Sequence, residues 1–147
     1  MIICEIGLNH MGDEKYAMNY IKKIINAIDD GILFHIREKS FYQKHPELEL
    51  SDKFYLVISK LLKKNKIKFG VTIADLDKIK FCEEIDVDFY KIFSRDILKS
   101  KIIKKVESTK KQIFVSTGMS NLEEIKQFIK LIKNDKKQFT LIHTQLD

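Results

Sequence analysis

Short apolar segments alternate along the chain with longer segments whose apolar residues recur at helical spacing. The first apolar segment, residues 2–6, is followed by Ala17, Ile21 and Ile24 at intervals of four and three residues, which predicts a buried strand and then an amphipathic helix. The pattern repeats and predicts six strands and five helices. The strands are residues 2–6, 31–36, 68–72, 88–92, 112–116 and 139–143, and the helices are residues 17–28, 51–62, 75–84, 96–106 and 122–132.

Strands that alternate with helices imply parallel strands joined by right-handed crossovers. This excludes an antiparallel sandwich and leaves an open doubly wound sheet or a (β/α) barrel. The absence of a glycine-rich phosphate loop of either nucleotide-binding type favours the barrel. A closed barrel has eight strands and about 250 residues. We therefore predict an α/β fold, a single TIM-barrel-like parallel (β/α) domain over residues 1–147 that is incomplete, with about six of eight strands.

The composition narrows the class of protein. The 147 residues are 44% hydrophobic, which is enough for one core. No apolar run of about 18 residues and no signal-peptide pattern occurs, so we predict a cytoplasmic protein without a membrane partner. Cys4 and Cys82 have neither metal-ligand spacing nor the pattern of a disulfide framework, and both are predicted to be reduced thiols.

The formal net charge of +6 comes almost wholly from lysine, because Arg37 and Arg95 are the two arginines of the chain. The lysines recur along the predicted helices, as is typical of a solvated surface. In the absence of aromatic stacking motifs or an arginine-rich stripe, no nucleic-acid partner is predicted. A basic surface can still attract an anionic small substrate.

Several predicted strands end in polar residues, which is where a barrel enzyme places its chemistry. These ends are residues 5–10, 90–96, 115–119 and 142–144. Lys91 lies between apolar neighbours, and a lysine inside a barrel is costly to bury unless it meets an anion. A lysine and several hydroxyl groups at one rim would bind a phosphorylated carboxylate, because lysine supplies a point charge and the hydroxyls supply short donors.

These segments, in their order along the chain, resemble motifs of the N-acetylneuraminate (sialic acid) synthase family. Glu5-Ile6-Gly7-Leu8-Asn9-His10-Met11-Gly12-Asp13 resembles the family's first strand and loop. Tyr90-Lys91-Ile92-x-Ser94-x-Asp96 and Ser116-Thr117-Gly118-Met119 resemble its fourth and fifth strand ends. The resemblance implies a (β/α)8 barrel that condenses phosphoenolpyruvate with an N-acetylated amino sugar of the N-acetylmannosamine type. The product would be a nonulosonic acid, made in carbohydrate biosynthesis.

The resemblance also implies roles for individual residues. The positions that hold phosphoenolpyruvate correspond to Thr72, Lys91, Ser94 and Ser116. The acidic, catalytic positions near the reacting centre correspond to Glu5 and Asp96. Further substrate-binding positions correspond to Asn9 and His143, and also to Gln145 and Asp147.

Several of these residues have a structural alternative. Glu5 and Lys91 would also be satisfied as an ion pair with each other inside the barrel. Ser116 and Thr117 are equally suited to cap the following helix or its turn. Asp13 is more typical of an N-cap than of a binding residue, and Ser51 is a candidate N-cap of the second helix.

The chain departs from the family pattern in its second strand. Leu33 stands where the resemblance implies a lysine on phosphoenolpyruvate, and His35 stands where it implies a sugar-contacting glutamine. The family's divalent metal, Mn or Mg, is expected as a cofactor, but its histidine pair belongs to barrel strands beyond Asp147, so no metal ligand is assigned. The family's antifreeze-like carboxy-terminal domain is likewise not expected within residues 1–147.

Three hypotheses are consistent with these residues. The chain is a phosphoenolpyruvate-dependent synthase, or its amino-terminal part, with small-molecule substrates. Self-association or a complementing chain would then supply the remaining strands, because an open sheet exposes two unpaired edges. Alternatively, it is a non-catalytic pseudoenzyme that binds phosphate or phosphoenolpyruvate. The third hypothesis is a truncated remnant without a ligand.

Overall fold

The computed structural model describes residues 2–27, 30–132 and 138–144. The strands are β1 (Ile3–Gly7), β2 (Gly31–Ile36), β3 (Lys68–Ile73), β4 (Phe89–Ile92), β5 (Gln112–Ser116) and β6 (Phe139–Ile142). The helices are α1 (Glu14–Ile25), α2 (Lys39–Lys44), α3 (Asp52–Lys64), α4 (Lys78–Glu84), α5 (Ser100–Glu107) and α6 (Leu122–Leu131). Short 3-10 helices cover Pro46–Leu48 and Ser94–Asp96. The predicted helix end at Ile28 and the predicted binding residues Gln145 and Asp147 lie outside the described residues.

The six strands form one parallel sheet in the order β1-β2-β3-β4-β5-β6. Each strand pairs with its neighbour in the sequence, whereas a doubly wound sheet reverses its strand order at a switch point. The predicted fold, an incomplete TIM-barrel-like wall, is therefore confirmed. Within the described residues, β1 and β6 each pair with a single strand, so the sheet is not closed.

Alternate residues of each strand face the helices and form the main core. In β2 this face carries Phe34, which is fully buried. Its ring meets those of Phe54, Tyr55 and Phe69 edge-on, with centroids 6.1–6.3 Å apart. Aromatic pairs at these distances and angles add to the stabilisation that burial provides. Alternate residues of the strands therefore pack against the apolar residues that recur at helical spacing in the helices, and together they form one apolar layer.

Capping side chains set the starts of three helices. Asp13 accepts from the N–H groups of Lys15 and Tyr16 at the start of α1, and Ser51 accepts from Phe54 N–H at the start of α3. Both were predicted as caps, and both are confirmed. Asn121 caps α6 in a capping box with Glu124, which stabilises a helix start by satisfying two free N–H groups.

Three predicted helix starts were wrong. The helix predicted from residue 17 begins at Glu14, directly after its N-cap Asp13. The helix predicted from residue 75 begins at Lys78, because the Asp75 side chain accepts from Asp77 N–H at 2.9 Å and holds a turn there. The helix predicted from residue 96 begins at Ser100. In that segment Asp96 N–H donates to the Phe93 carbonyl, so the chain makes a 3-10 turn before the α-helix begins.

The predicted loop before Ser51 contains a short helix, α2. Tyr42, nearly buried, anchors it, and the hydroxyl of Tyr42 accepts from Arg37 N–H at 3.2 Å. A helix of six residues depends on such tertiary contacts, and periodicity alone does not reveal them. None of the helices in the described part of the chain has the length and apolar character needed to cross a lipid bilayer.

Candidate functional site

A cavity of about 540 Å³ lies at the carboxyl ends of the strands, on the side of the sheet that faces away from the helices. We call this side the concave face. The lining side chains come from four strands, from the loops that follow three of them and from the segment after β6. They are Glu5, His35, Arg37, Lys91, Phe93, Ser94, Arg95, Ser116, Met119 and Thr144.

The floor of the concave face is apolar. Leu33, Phe89 and Phe114 are buried together there, and the rings of Phe89 and Phe114 meet edge-on with centroids 5.4 Å apart. Gly70 makes room for the Phe89 ring, because a Cβ atom at residue 70 would lie 2.1 Å from two of the ring carbons. The floor therefore lines this part of the concave face with close-packed apolar side chains, and the charged groups of the cavity lie above it, towards the carboxyl ends of the strands.

The first charged groups above the floor form an ion pair, and a histidine is hydrogen-bonded to it. Lys91 Nζ donates to both oxygens of Glu5, at 2.8 and 2.7 Å. His35 Nε2 lies 2.6 Å from Glu5 Oε1. The side chains of Lys91 and His35 are 13% and 19% exposed. The three residues come from β4, β1 and β2, so separate strands of the wall build one charged cluster, which we call the inner cluster.

The electrostatics of the inner cluster keep Glu5 ionised. Partial burial favours the neutral form of Glu5, but the hydrogen bonds from His35 and Lys91 and the charge of Lys91 outweigh this and lower the pKa of Glu5 to about 2. An ionised carboxylate can only accept hydrogen bonds, so His35 donates to it through Nε2. The structural alternative, that Glu5 and Lys91 pair with each other, is confirmed, yet both side chains also line the cavity.

A second charged group lies around Phe93, further along the strand ends. The guanidinium carbons of Arg37 and Arg95 are 5.6 and 5.1 Å from the Phe93 ring centroid. Glu38 accepts from Arg37 Nε at 3.2 Å and from Arg95 Nη2 at 2.9 Å. The His35 ring meets Phe93 nearly perpendicularly at 4.9 Å, which joins this outer cluster to the inner cluster.

Of the eight predicted site residues that lie within the described part of the chain, four line the cavity, namely Glu5, Lys91, Ser94 and Ser116. Ser94 follows β4 and Ser116 ends β5, so both hydroxyls reach the cavity from the carboxyl ends of strands, as predicted. Ser116 and Thr117 do not cap α6, because Asn121 does, and the Thr117 hydroxyl donates to the Ile142 carbonyl at 3.0 Å.

The other four predicted residues do not line the cavity. Thr72 and Asp96 are fully buried, and Asp96 Oδ1 lies 2.7 Å from Lys99 Nζ. Asn9 and His143 are exposed in the segments that follow β1 and β6. Their roles stay predictions.

Sequence reasoning missed the two arginines and Phe93. Arg37 follows Leu33 and His35 at intervals of two residues, and Phe93 follows Lys91 in the same way. This alternation places them all on one face of the sheet. The alternation was the available signal, because it continues past the point where each strand ends.

The residues of the cavity do not fit a divalent metal. No group of three or more His, Cys, Asp or Glu side chains able to hold a metal ion occurs among residues 2–27, 30–132 and 138–144. Glu5 and His35 are the candidate ligands that line the cavity, and the Glu5 carboxylate is held by Lys91. Two such side chains, one of them already in an ion pair, fall short of the ligand set that a divalent metal needs.

Comparisons with known proteins agree on one family. The NeuB family model matches residues 27–147. An uncharacterised protein of Methanocaldococcus jannaschii is 31% identical over 151 residues, which cover 97% of this chain and 45% of that protein. The N,N'-diacetyllegionaminic acid synthase of Campylobacter jejuni is 29% identical over 172 residues, which cover 97% of this chain and 50% of the synthase.

A solved structure gives the same result for the fold. The N-acetylneuraminic acid (sialic acid) synthetase from Leptospira borgpetersenii, crystallised in complex with citrate, superimposes with a TM-score of 0.85 at 26% identity. The match covers 96% of this chain and 52% of that one. The chain therefore spans about half the length of the relatives that it matches.

Proposed function

Because the chain belongs to the NeuB family, we propose that it acts in nonulosonic acid synthesis and binds phosphoenolpyruvate at the inner cluster. The reaction is the condensation of phosphoenolpyruvate with an N-acetylated amino sugar. The observation that carries the proposal is the position of Lys91 in one cavity with Ser94 and Ser116.

Lys91 is suited to hold an anion. Its ammonium group has three N–H donors, and Glu5 accepts from it through both carboxylate oxygens in the ligand-free protein. A carboxylate or phosphate that enters the cavity would share Lys91 with Glu5, while Ser94 and Ser116 donate from the neighbouring strand ends. A charge-assisted hydrogen bond in a partly buried site is about twice as strong as a neutral one.

In the proposed reaction, the methylene carbon of phosphoenolpyruvate attacks the aldehyde carbon of the sugar and forms the new carbon–carbon bond. Water adds at the carbon that bears the phosphate, and the phosphate leaves with cleavage of the carbon–oxygen bond. Lys91 would hold the anionic groups in place and stabilise the charge that develops on them. Glu5 would hold the ammonium group of Lys91 in position.

We propose that further strands complete the barrel around this cavity. β1 and β6 each pair with one neighbour among the described residues, and open strand edges favour association. Further strands of the same protein, a second copy or a complementing chain would meet this need. Light scattering of the purified protein tests the point: a multimer or a complex is expected, and a stable monomer that binds and turns over substrate would contradict it.

One observation favours binding without turnover as a second candidate function. Leu33, at the position where the family resemblance implies a lysine, is 2% exposed and packs in the apolar floor. One cationic contact to phosphoenolpyruvate is therefore replaced by an apolar side chain. This hypothesis predicts affinity for phosphoenolpyruvate but no release of phosphate from it.

Titration calorimetry with phosphoenolpyruvate tests the proposal. The protein should bind it saturably, and Lys91→Met should weaken binding by at least about tenfold, because a charged hydrogen-bond donor is lost. Lys104→Met is the matched control, since Lys104 is exposed on α5 and its loss removes the same charge. Equal affinities in all three proteins, or no binding by the folded wild type, would refute the proposal.

An assay of phosphate release separates the two candidate functions. Phosphoenolpyruvate, N-acetylmannosamine and Mn²⁺ are added to the wild type and to Lys91→Met. Release by the wild type that is lost in the variant supports the synthase. Binding without release supports the non-catalytic alternative.

A further inference from the structure

The outer cluster contains both arginines of the chain, and the carboxylate of Glu38 accepts hydrogen bonds from the two. Arg37 and Arg95 line the cavity, and Glu38 accepts from both. Asp96 Oδ1 also lies 3.7 Å from Arg95 Nε, but it is paired more closely with Lys99 Nζ, at 2.7 Å. Two guanidinium groups and one ammonium group therefore face two carboxylates and leave one net positive charge. In the inner cluster, the charges of Lys91 and Glu5 cancel. The uncompensated positive charge of the cavity therefore lies at the arginines, which we call the arginine pair.

The arginine pair also has free donors. The hydrogen bonds to Glu38 use Nε and Nη2 of Arg37 and Nη2 of Arg95. Nη1 of each arginine donates to no acceptor within the described part of the chain. A guanidinium group presents five N–H donors in a planar fork that matches the oxygens of a phosphate or a carboxylate.

Neighbouring rings hold the arginine pair in place. Both guanidinium carbons lie within 6 Å of the Phe93 ring centroid, at 5.6 and 5.1 Å, and Arg37 stacks on Phe41 at 3.9 Å. The side chain of Arg37 is 15% exposed and that of Arg95 is 38% exposed. Cation–π contacts at such distances restrain the side chains, so an anion would meet groups that are already ordered.

We propose that the arginine pair is a second anion-binding position, which takes a phosphate or carboxylate group while Lys91 holds another. The inference rests on the proposed function, since it assumes that phosphoenolpyruvate occupies the inner cluster. The floor beneath the inner cluster is apolar, so a further anionic group is accommodated only towards the arginines. Two sources share this chemistry: phosphoenolpyruvate itself, and a phosphate ester carried by the amino sugar.

Arginine side-chain spectra give a direct test. The chain has two arginines, so a ¹H–¹⁵N spectrum of the protein contains two Nε–H signals, and Arg95→Lys assigns them. Inorganic phosphate, phosphoenolpyruvate and N-acetylmannosamine 6-phosphate are titrated separately, and N-acetylmannosamine serves as the neutral control. We expect saturable shifts of both signals with a phosphate compound and none with the neutral sugar.

Titration calorimetry measures how much the arginine pair contributes to the binding affinity. Arg95→Met should weaken binding of the active phosphate compound by about tenfold, and Lys104→Met should leave it unchanged. Arg95→Lys keeps the charge but not the fork, so it should retain part of the affinity. Unfolding curves of all variants check that they fold. The phosphate compound that loses affinity identifies the source of the anion.

The outcomes separate this inference from the proposed function. Binding of phosphoenolpyruvate that depends on Lys91 while both arginine signals stay unmoved by every phosphate compound would overturn the arginine site alone. Arginine signals that respond to phosphate, with phosphoenolpyruvate binding that is indifferent to Lys91→Met, would support the arginine site and refute the proposed function.

Discussion

The two faces of one sheet differ in what their side chains do. On the face towards the helices, Phe34, Phe69 and Tyr90 are buried with apolar neighbours. On the concave face, the next residues along the same strands include His35 and Lys91, which line a cavity and carry charge or polar groups. Because successive residues of a strand point to opposite faces, each short strand serves both purposes.

This difference predicts whether a substitution on a given face changes the stability of the protein or its ligand binding. A substitution on the helix-facing side removes packing and should lower the free energy of unfolding without a specific effect on ligands. A substitution at the polar end of the concave face should change ligand binding and have little effect on the free energy of unfolding. The concave floor is intermediate, since it is apolar and buried but supports the cavity.

The largest expected effect is on the helix-facing side. Phe34→Ala removes ring contacts to Phe54, Tyr55 and Phe69 and should lower the free energy of unfolding by about 3–5 kcal/mol. Chemical denaturation measures it. Leu122→Ala is the control, because Leu122 is 68% exposed and its loss should cost less than about 0.5 kcal/mol. Similar losses of unfolding free energy in Phe34→Ala and Leu122→Ala would contradict the assignment of Phe34 to the core and of Leu122 to the surface.

The concave floor should respond to an added methyl group. Gly70→Ala places a Cβ atom against the Phe89 ring and should lower the free energy of unfolding by about 1–3 kcal/mol, as overpacking does. Gly70→Ala combined with Phe89→Leu should recover part of the loss. If Gly70→Ala is as stable as the wild type, the floor is not close-packed.

The smallest expected effect is the pH dependence of the inner cluster. The pKa of Glu5 falls from its ordinary value of 4.5 to about 2 in the folded protein. The pair with Lys91 therefore contributes stability that is present above pH 4.5 and is lost as the pH falls towards 2. Glu5→Gln should lower the melting temperature near neutral pH. The difference in melting temperature between the variant and the wild type should shrink as the pH falls below 4.5, the ordinary pKa of Glu5. A difference that is independent of pH would contradict the ionised pair.

Much of the fold could be predicted because it depends on periodicity. The alternation of short apolar runs with helical patterns predicted six parallel strands of a barrel wall. Helix starts at residues 78 and 100 were missed, because the Asp75 side chain and the 3-10 turn at Ser94–Asp96 compete locally with the helix. Such competition depends on single hydrogen bonds, and a period does not reveal it.

The candidate site could be predicted in part, for a related reason. Glu5, Lys91 and Ser116 lie within strands, and their polar character in an apolar run marked them. Arg37 and Arg95 lie just beyond strand ends. The alternation reaches them, but a charged residue outside an apolar run is ordinarily exposed on the surface, so their charge did not mark them. Their pairing through Glu38 is a tertiary contact, which the sequence alone does not show.

Methyl resonances during a phosphoenolpyruvate titration test the division between the two faces most directly. Met119 at the cavity and Leu33 in the floor lie on the concave face, and Ile58 and Ile103 lie in the helix-facing core. We expect saturable shifts at Met119 and Leu33 that require at least about tenfold more phosphoenolpyruvate in Lys91→Met, with Ile58 and Ile103 unmoved. A folded protein in which no methyl shifts, or in which Ile58 and Ile103 shift as much as Met119, would contradict this division.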